Sequence, residues 1–468
     1  MVDVLFCSTP WTTGTITLAP AVLKSVSVVA GFNARAIDLA AIITKIIDEH
    51  PQKTQIIRFL QTQDIDVNCY SGIVDILKKS AEIVLSYHPK IIGLSVLSQE
   101  SQIFTLWFSY YLKYISPQTK IIVGGSGVKN FIADSKVFYA DTLRTMEFID
   151  DFIVGDGELA VVEYLKNNLD YPGINSNTWE QLDNLERFPY PDFSDYDFSV
   201  YKTKTIPICD SRGCVRKCEF CDIIEHWTKY KYRSAEHVFS EMLYQINNTG
   251  ITDFSFYNSL TNGNMRVFEK LLDLIIEYNS DKPKNQQISW NGYFIIRPQE
   301  AHPESIWPKL KASNARLFLG VESVVEHVRI GLGKNFKNVD IDYHLQMAQK
   351  YKVSLYLLLI VGYPTETKND FEYTKKWFID REQYADIIAG SATTLCAILP
   401  GTRLERNMQQ YNIDKNMTSI PVSWALNRNN EVVNEQDRYT YLKELTAIMN
   451  KHGFNPCVDD VTVSLLDG

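Results

Sequence analysis

From residue 205 to residue 399 short apolar runs recur about every 35 residues, each followed by a polar, helix-like stretch. The runs cover 205–209, 253–257, 288–292, 317–320, 354–361 and 386–399. Strands that alternate with helices must lie parallel, because each crossover returns the chain to the same end of the sheet. Six such units predict an open, partial (β/α)6 barrel. Functional side chains of such barrels collect at the carboxyl ends of the strands, so the residue after each run is the one to question.

The first run ends in the densest chemical signal of the chain. Cys214, Cys218 and Cys221 stand in a C-x3-C-x2-C array within residues 211–222. Three thiols this close form a metal grip. A cubane iron–sulfur cluster takes four ligands, so three cysteines leave one iron open to a substrate or cofactor. A Cys3His zinc knuckle is the competing reading, with His226 five residues after Cys221 as fourth ligand. The strand-like run before the array and the helix-like segment after it belong to a catalytic loop at a strand end.

The array resembles the cluster loop of the radical S-adenosylmethionine (SAM) superfamily, and Phe220 fills the aromatic slot before the last cysteine. The resemblance implies a 4Fe–4S cluster on Cys214, Cys218 and Cys221, reductive cleavage of SAM to a 5′-deoxyadenosyl radical, and an external electron donor such as flavodoxin or ferredoxin. It extends along the later strand ends. Asn258 and Ser259 follow the second run, where relatives often carry acidic residues, and Arg297 follows the third. The fourth run ends in Glu322 and Ser323 and continues to a glycine–lysine loop at Lys334, while the fifth ends at Gly362. By resemblance these residues bind SAM: Glu322 and Ser323 grip hydroxyls, Lys334 pairs with a carboxylate, and Gly362 lets the backbone approach the adenine. A local reading stays open, in which Ser323 caps a helix with Glu322 in its first turn. Residues 400–402, Pro-Gly-Thr, close the resemblance near 405.

The first part of the chain also alternates strand and helix. Runs at 2–7, 34–39, 90–95 and 120–124 imply a Rossmann-like, doubly wound parallel sheet whose ligand site lies beyond the carboxyl ends of the strands. Ser95 and Leu97 end one run and Gly124 and Gly125 the next, similar to the Ser-x-Leu and Gly-Gly elements of cobalamin-binding domains. Gly155 and Glu158 resemble the end of such domains in radical enzymes, and Thr9 and Gly14 lie in the loop after the first strand. The resemblance makes these eight residues cobalamin contacts. That first loop lacks the Asp-x-His-x-x-Gly motif, so histidine is not expected on the lower face of the cobalt. His50 and His88 flank prolines and read as structural. The alternative is a domain that has lost the cofactor and recognises substrate.

The expected division is 1–170 cobalamin-type domain, 171–201 proline- and aromatic-rich linker packed across a domain junction, 202–405 barrel, and 406–468 a small, mainly helical, substrate-facing region. A net charge of −9 argues against nucleic acid as partner. Eight cysteines, three clustered and five scattered, suit a reduced compartment rather than a disulfide framework. The apolar stretch 16–32 is broken by Pro20 and Lys24, which excludes a membrane span there, and a cytoplasmic location is expected. The expected function is that of a cobalamin-dependent radical SAM enzyme modifying an unactivated carbon of a small molecule or peptide, by C-methylation. Rearrangement or cyclisation without methyl transfer, and a non-catalytic iron–sulfur or zinc protein, are the alternatives. No side chain is singled out as general base.

Overall fold

The computed structural model describes residues 2–10, 15–62, 70–128, 148–176, 180–414, 424–428 and 431–458. The chain divides into two compact units, Met1–Pro207 with Leu243–Ile251, and Ile208–Met242 with Thr252–Gly468.

In the first unit β1 (Val2–Ser8), β2 (Ala34–Ile37), β3 (Pro89–Ser95), β4 (Lys120–Gly124) and β5 (Asp151–Ile153) form one sheet of order β2-β1-β3-β4-β5. Every pair is parallel. Val4, Leu5, Phe6 and Cys7 are all buried, as an unbroken apolar run must be when helices cover both faces of a sheet. In this order the chain reverses direction across the sheet between β1 and β3, which opens a ligand crevice at their carboxyl ends.

Residues 171–201 pack onto this unit through buried charge. Lys24, which interrupts the apolar stretch 16–32, is buried and pairs with Asp192 at 2.9 Å and Asp195 at 2.8 Å. Asp195 also pairs with Arg35 at 2.6 Å. Two tyrosines complete the attachment: Tyr196 Oη donates to Thr17 O at 3.0 Å, and Tyr201 Oη to Asp38 Oδ2 at 2.5 Å. A lysine in an apolar helix face is tolerable only with such partners.

The second unit is built on seven strands. They are β6 (Ile206–Ile208), β9 (Asp253–Phe256), β10 (Ser289–Phe294), β11 (Ala315–Glu322), β12 (Ser354–Val361), β13 (Ile388–Leu395) and β17 (Pro456–Val458), in the order β17-β13-β12-β11-β10-β9-β6. The first six are the expected partial barrel. β17 pairs parallel with β13 and extends the sheet by one strand the sequence did not signal. Two short pieces are added: an antiparallel pair of β7 (Ser211–Arg212) with β8 (Lys231–Tyr232), and a small sheet of β14 (Ile413–Asp414), β15 (Ala425–Arg428) and β16 (Glu431–Val433). The helix Glu435–Lys451 is the largest element of the carboxyl-terminal region, opened by Asn434, whose side chain accepts from Asp437 N. Among the described residues no helix is long and apolar enough to cross a membrane, and no two of the seven described cysteines form a disulfide.

Candidate functional site

The cluster loop leaves β6 at Asp210 and is held by both backbone and side chains, Glu219 pairing with Arg403 at 3.6 Å and accepting from Asn407 Nδ2 at 3.4 Å. Glu219 N donates to Leu332 O at 3.1 Å and Leu404 N to Glu219 O at 2.8 Å, which fixes the loop to the turns that follow β11 and β13. Gly333 lies against it: a Cβ there would stand 3.1 Å from Cys218 Cα, tight enough to push the loop away. Cys218 is buried, and Cys214 and Cys221 are half-buried. Cys214 Sγ accepts from Arg216 N at 3.4 Å.

Burial pushes the Cys218 thiol up, with Lys334 pulling the other way, and pushes Cys221 up to about 12. The chain alone therefore keeps these groups as thiols, and a cationic metal centre is what would hold them as thiolates. Among the described residues no three His, Cys, Asp or Glu side chains gather as a single metal ion requires. A cubane makes no such demand, because its three cysteines bind three different irons. His226, the fourth ligand of the zinc reading, is buried with Nε2 3.4 Å from Asp222. The donor set fits a cluster.

Around the loop stand the strand-end residues. Lys334 Nζ is 2.9 Å from Glu322 Oε1, and both side chains are buried. Glu322 sits at a register shift in β11 with φ +59°, a left-handed backbone that costs a residue with a side chain about 1 kcal/mol or more. Burial works against the charged form of Lys334, but Glu322 and the neighbouring Cys218 outweigh it and raise its pKa. Ser323 serves the local turn, since its Oγ accepts from Val325 N at 3.2 Å. The helix it precedes starts at Glu326, so Glu322 lies outside the first turn and the capping alternative holds for neither residue as stated. Arg329, fully buried, braces this segment by donating to Ser323 O, Phe336 O and Asn338 Oδ1 at 2.8–3.0 Å.

Asn258 is committed to structure. Its Nδ2 donates to Asp210 Oδ1, to Ser211 Oγ at 3.1 Å and to Leu260 O at 2.7 Å, while its buried Oδ1 has no partner among the described residues. Desolvation pushes the Asp210 carboxyl up to about 7, against the pull of Ser211, Arg233 and Asn258. Ser259 beside it is half-buried. Arg297 donates from Nη2 to Asn262 O at 3.1 Å and Gly263 O at 3.4 Å, and its buried Nε has no partner among the described residues. Phe220 packs into an apolar cluster with Val325, Leu332 and Tyr363.

Gly362 follows β12 with φ +82°, and a Cβ there would overlap the side chain of Arg438 from the helix Glu435–Lys451, so this position requires glycine for the packing of Arg438. Arg438 in turn stacks 3.6 Å from the Trp424 ring centroid and donates to Trp424 O at 2.9 Å.

In the first unit Thr9, Ser95, Leu97, Gly124 and Gly125 come together at the carboxyl ends of β1, β3 and β4. Thr9 Oγ1 donates to Ser95 O at 2.7 Å, and Val96 N donates to Gly124 O at 2.7 Å. Leu97 is exposed. Gly155 follows β5, and Glu158 is buried in the first turn of the helix Gly157–Leu165, where its charge suits the helix dipole. Gly14 lies outside the described residues.

The radical SAM superfamily model matches residues 208–378. An uncharacterized methyltransferase of Pyrococcus horikoshii is 22% identical to this chain over 392 residues, 77% of the chain and 78% of the relative. Among solved structures, the radical SAM methyltransferase TsrM of Kitasatospora setae, with cobalamin and a 4Fe–4S cluster bound, superposes with a TM-score of 0.66 at 14% identity, covering 96% of this chain and 89% of TsrM. The cobalamin-dependent SAM radical enzyme OxsB, with aqua-cobalamin and SAM bound, gives a TM-score of 0.62 at 14% identity over 87% of this chain and 61% of its own. The architecture is therefore shared from the first sheet through the barrel.

Sequence reasoning missed a buried pair of rings in the second unit. His302 Nδ1 and His344 Nε2 are 3.0 Å apart, and both residues are fully buried. Burial, with His344 and Arg297 adding to it, depresses His302 to about 2, and burial depresses His344 to about 4 against the Asp340 carbonyl. Both values lie below the unfolded value of about 6.5, so in acid the unfolded chain binds more protons. Each neutral ring's contribution is complete above about pH 6.5 and is lost as pH falls toward the folded value. Between pH 6.5 and 5 the loss is about 2 kcal/mol per ring. Asp210 acts in the opposite sense, its raised value making the folded state the better proton binder below pH 7. The test is therefore differential. Urea unfolding of His344→Gln at pH 7 and pH 5 should lose about 2 kcal/mol less than the parent chain over that interval, whereas equal pH slopes would rule this origin out.

Proposed function

We propose that the chain is a cobalamin-dependent radical SAM methyltransferase acting on an unactivated carbon. The observation that carries this reading is the joining, in one chain, of a three-thiol loop at the first barrel strand to a five-stranded parallel sheet with small residues at its switch-side strand ends. The methyltransferase relative and the cobalamin-bound TsrM and OxsB support it.

When bound, the cluster would supply an electron for SAM cleavage to a 5′-deoxyadenosyl radical, and cobalamin would supply a carrier for the methyl group. The chain's own residues bind and orient. Cys214, Cys218 and Cys221 would hold three irons and leave the fourth open. Lys334 and Arg297 offer cations to the carboxylate of SAM, and Glu322 offers a carboxylate to its amine or hydroxyls. Asn258, Ser259 and Ser323 serve mainly by fixing the strand ends that carry those groups. Thr9, Ser95, Leu97, Gly124, Gly125, Gly155 and Glu158 would receive the nucleotide end of cobalamin. The acceptor is a small molecule or peptide and the reductant a flavodoxin or ferredoxin, in a cytoplasmic setting that keeps the thiols reduced.

Anaerobic reconstitution with iron, sulfide and hydroxocobalamin, followed by desalting and metal analysis, tests the reading. About four irons and one cobalt per chain are expected, together with SAM turnover under dithionite. Iron without cobalt would remove methyl transfer through cobalamin and leave the first unit as a substrate-recognition module. Zinc alone would overturn the whole assignment.

A further inference from the structure

The two buried histidines belong to a hydrogen-bond relay whose direction can be deduced. His344 Nδ1 lies 2.7 Å from Asp340 O, a carbonyl that can only accept, so Nδ1 carries the hydrogen and Nε2 accepts. His302 Nδ1 must therefore donate to His344 Nε2 across 3.0 Å, which leaves His302 Nε2 as an acceptor. Facing it at 3.0 Å is Asn262 Nδ2, a donor. Each ring has one tautomer, and neither has a spare hydrogen.

The relay ends on a side chain that joins two strand ends. Asn262, fully buried in the loop after β9, accepts from Ile295 N at 2.9 Å and donates to Ile295 O at 3.0 Å, mimicking one rung of a sheet beyond the end of β10. Its main-chain oxygen accepts from Arg297 Nη2. Whatever orients Asn262 therefore orients Arg297. Apolar residues would fill the space of two buried rings without the desolvation that the relay must overcome, so packing alone does not account for them.

We propose that His302 and His344 are positioning residues for SAM, locking Asn262 so that its carbonyl aims the Arg297 guanidinium. The inference rests on the reading of Arg297 as a SAM contact. The relay acts on binding rather than on the chemical step, and its effect passes through Arg297 alone.

Calorimetric titration of the cluster-loaded enzyme with SAM, with kcat and KM for SAM turnover and the melting temperature alongside, separates the possibilities. His344→Phe, which leaves His302 Nδ1 without an acceptor, should weaken SAM binding about 10-fold and raise KM in parallel, with kcat at saturating SAM within about twofold. His344→Gln, which can both accept and donate, should restore affinity to within about threefold. Arg297→Met should itself weaken binding at least about 10-fold, and adding His344→Phe to it should cost nothing more. If Arg297→Met leaves affinity unchanged, the reading of Arg297 fails and the inference with it. If Arg297→Met weakens binding but His344→Phe does not, or the two losses add, Arg297 stands and the relay has no positioning role. Should His344→Phe not fold, Asn262→Ser carries the same test with the same expected loss.

Discussion

Cys218→Ala yields a folded chain with no iron–sulfur absorption and SAM turnover reduced at least about 10³-fold. The loop survives because its fastenings lie elsewhere: Glu219 N to Leu332 O, Leu404 N to Glu219 O, Gly333 against the Cys218 backbone, and the Glu219 carboxylate with Arg403. None of these involves the sulfur. Cys218 is also the most buried of the three, so no water can replace its ligand position without entering the turn below Gly333. Visible spectra, iron counts and thermal melts of Cys214→Ala, Cys218→Ala and Cys221→Ala give the comparison, with His226→Ala as control. The control should keep its iron. A His226→Ala protein that loses metal while retaining three cysteines would return the site to the zinc reading.

Glu322→Ala should be the most destabilising single change around the SAM residues, by about 3–5 kcal/mol. Its carboxylate is the ion-pair partner of a buried ammonium, and without it Lys334 faces only the Gly320 carbonyl at 3.4 Å and the neighbouring thiols. Adding Lys334→Met should recover most of the loss, since removing both charges is far cheaper than leaving one. Denaturant unfolding of the two single variants and the double variant measures this directly. A double variant no more stable than Glu322→Ala would show that the damage comes from the β11 turn and not from the lysine.

What could be read in advance follows the range of each interaction. The cysteine array and the strand ends at Glu322, Ser95 and Gly124 stood out because each lies within a short stretch or at the end of an apolar run, whereas the ion pair of Glu322 with Lys334 was not read, both having been expected to contact SAM. The six barrel strands were legible for the same reason. β17 was not, because three residues, Pro-Cys-Val, carry no periodicity, and it is a strand only by pairing with β13. Gly362 was read as letting the backbone approach the adenine, and nothing in the sequence reveals that Arg438, on a helix far along the chain, packs where its Cβ would stand. His302 and His344 sit in unrelated local contexts and acquire their meaning only when a loop, a helix and a strand end converge. Asn258 was read as a ligand contact; nothing in the sequence reveals that its Nδ2 holds Asp210 and Ser211 while its Oδ1 stays without a partner among the described residues.

The attachment of residues 192–201 bears on synthesis. A ribosome releases the amino-terminal sheet first, and a domain folds once the segment it needs has emerged. Lys24 is made early, but Asp192 and Asp195 follow some 170 residues later. Until then the ammonium on the helix Ala19–Val29 has neither of the carboxylates that pair with it. The attachment of residues 192–201, and with it the completion of the first unit, therefore comes after every strand of its sheet has been made. A separately expressed fragment ending at residue 170 would keep every strand of the first sheet and still lack the carboxylates that complete it.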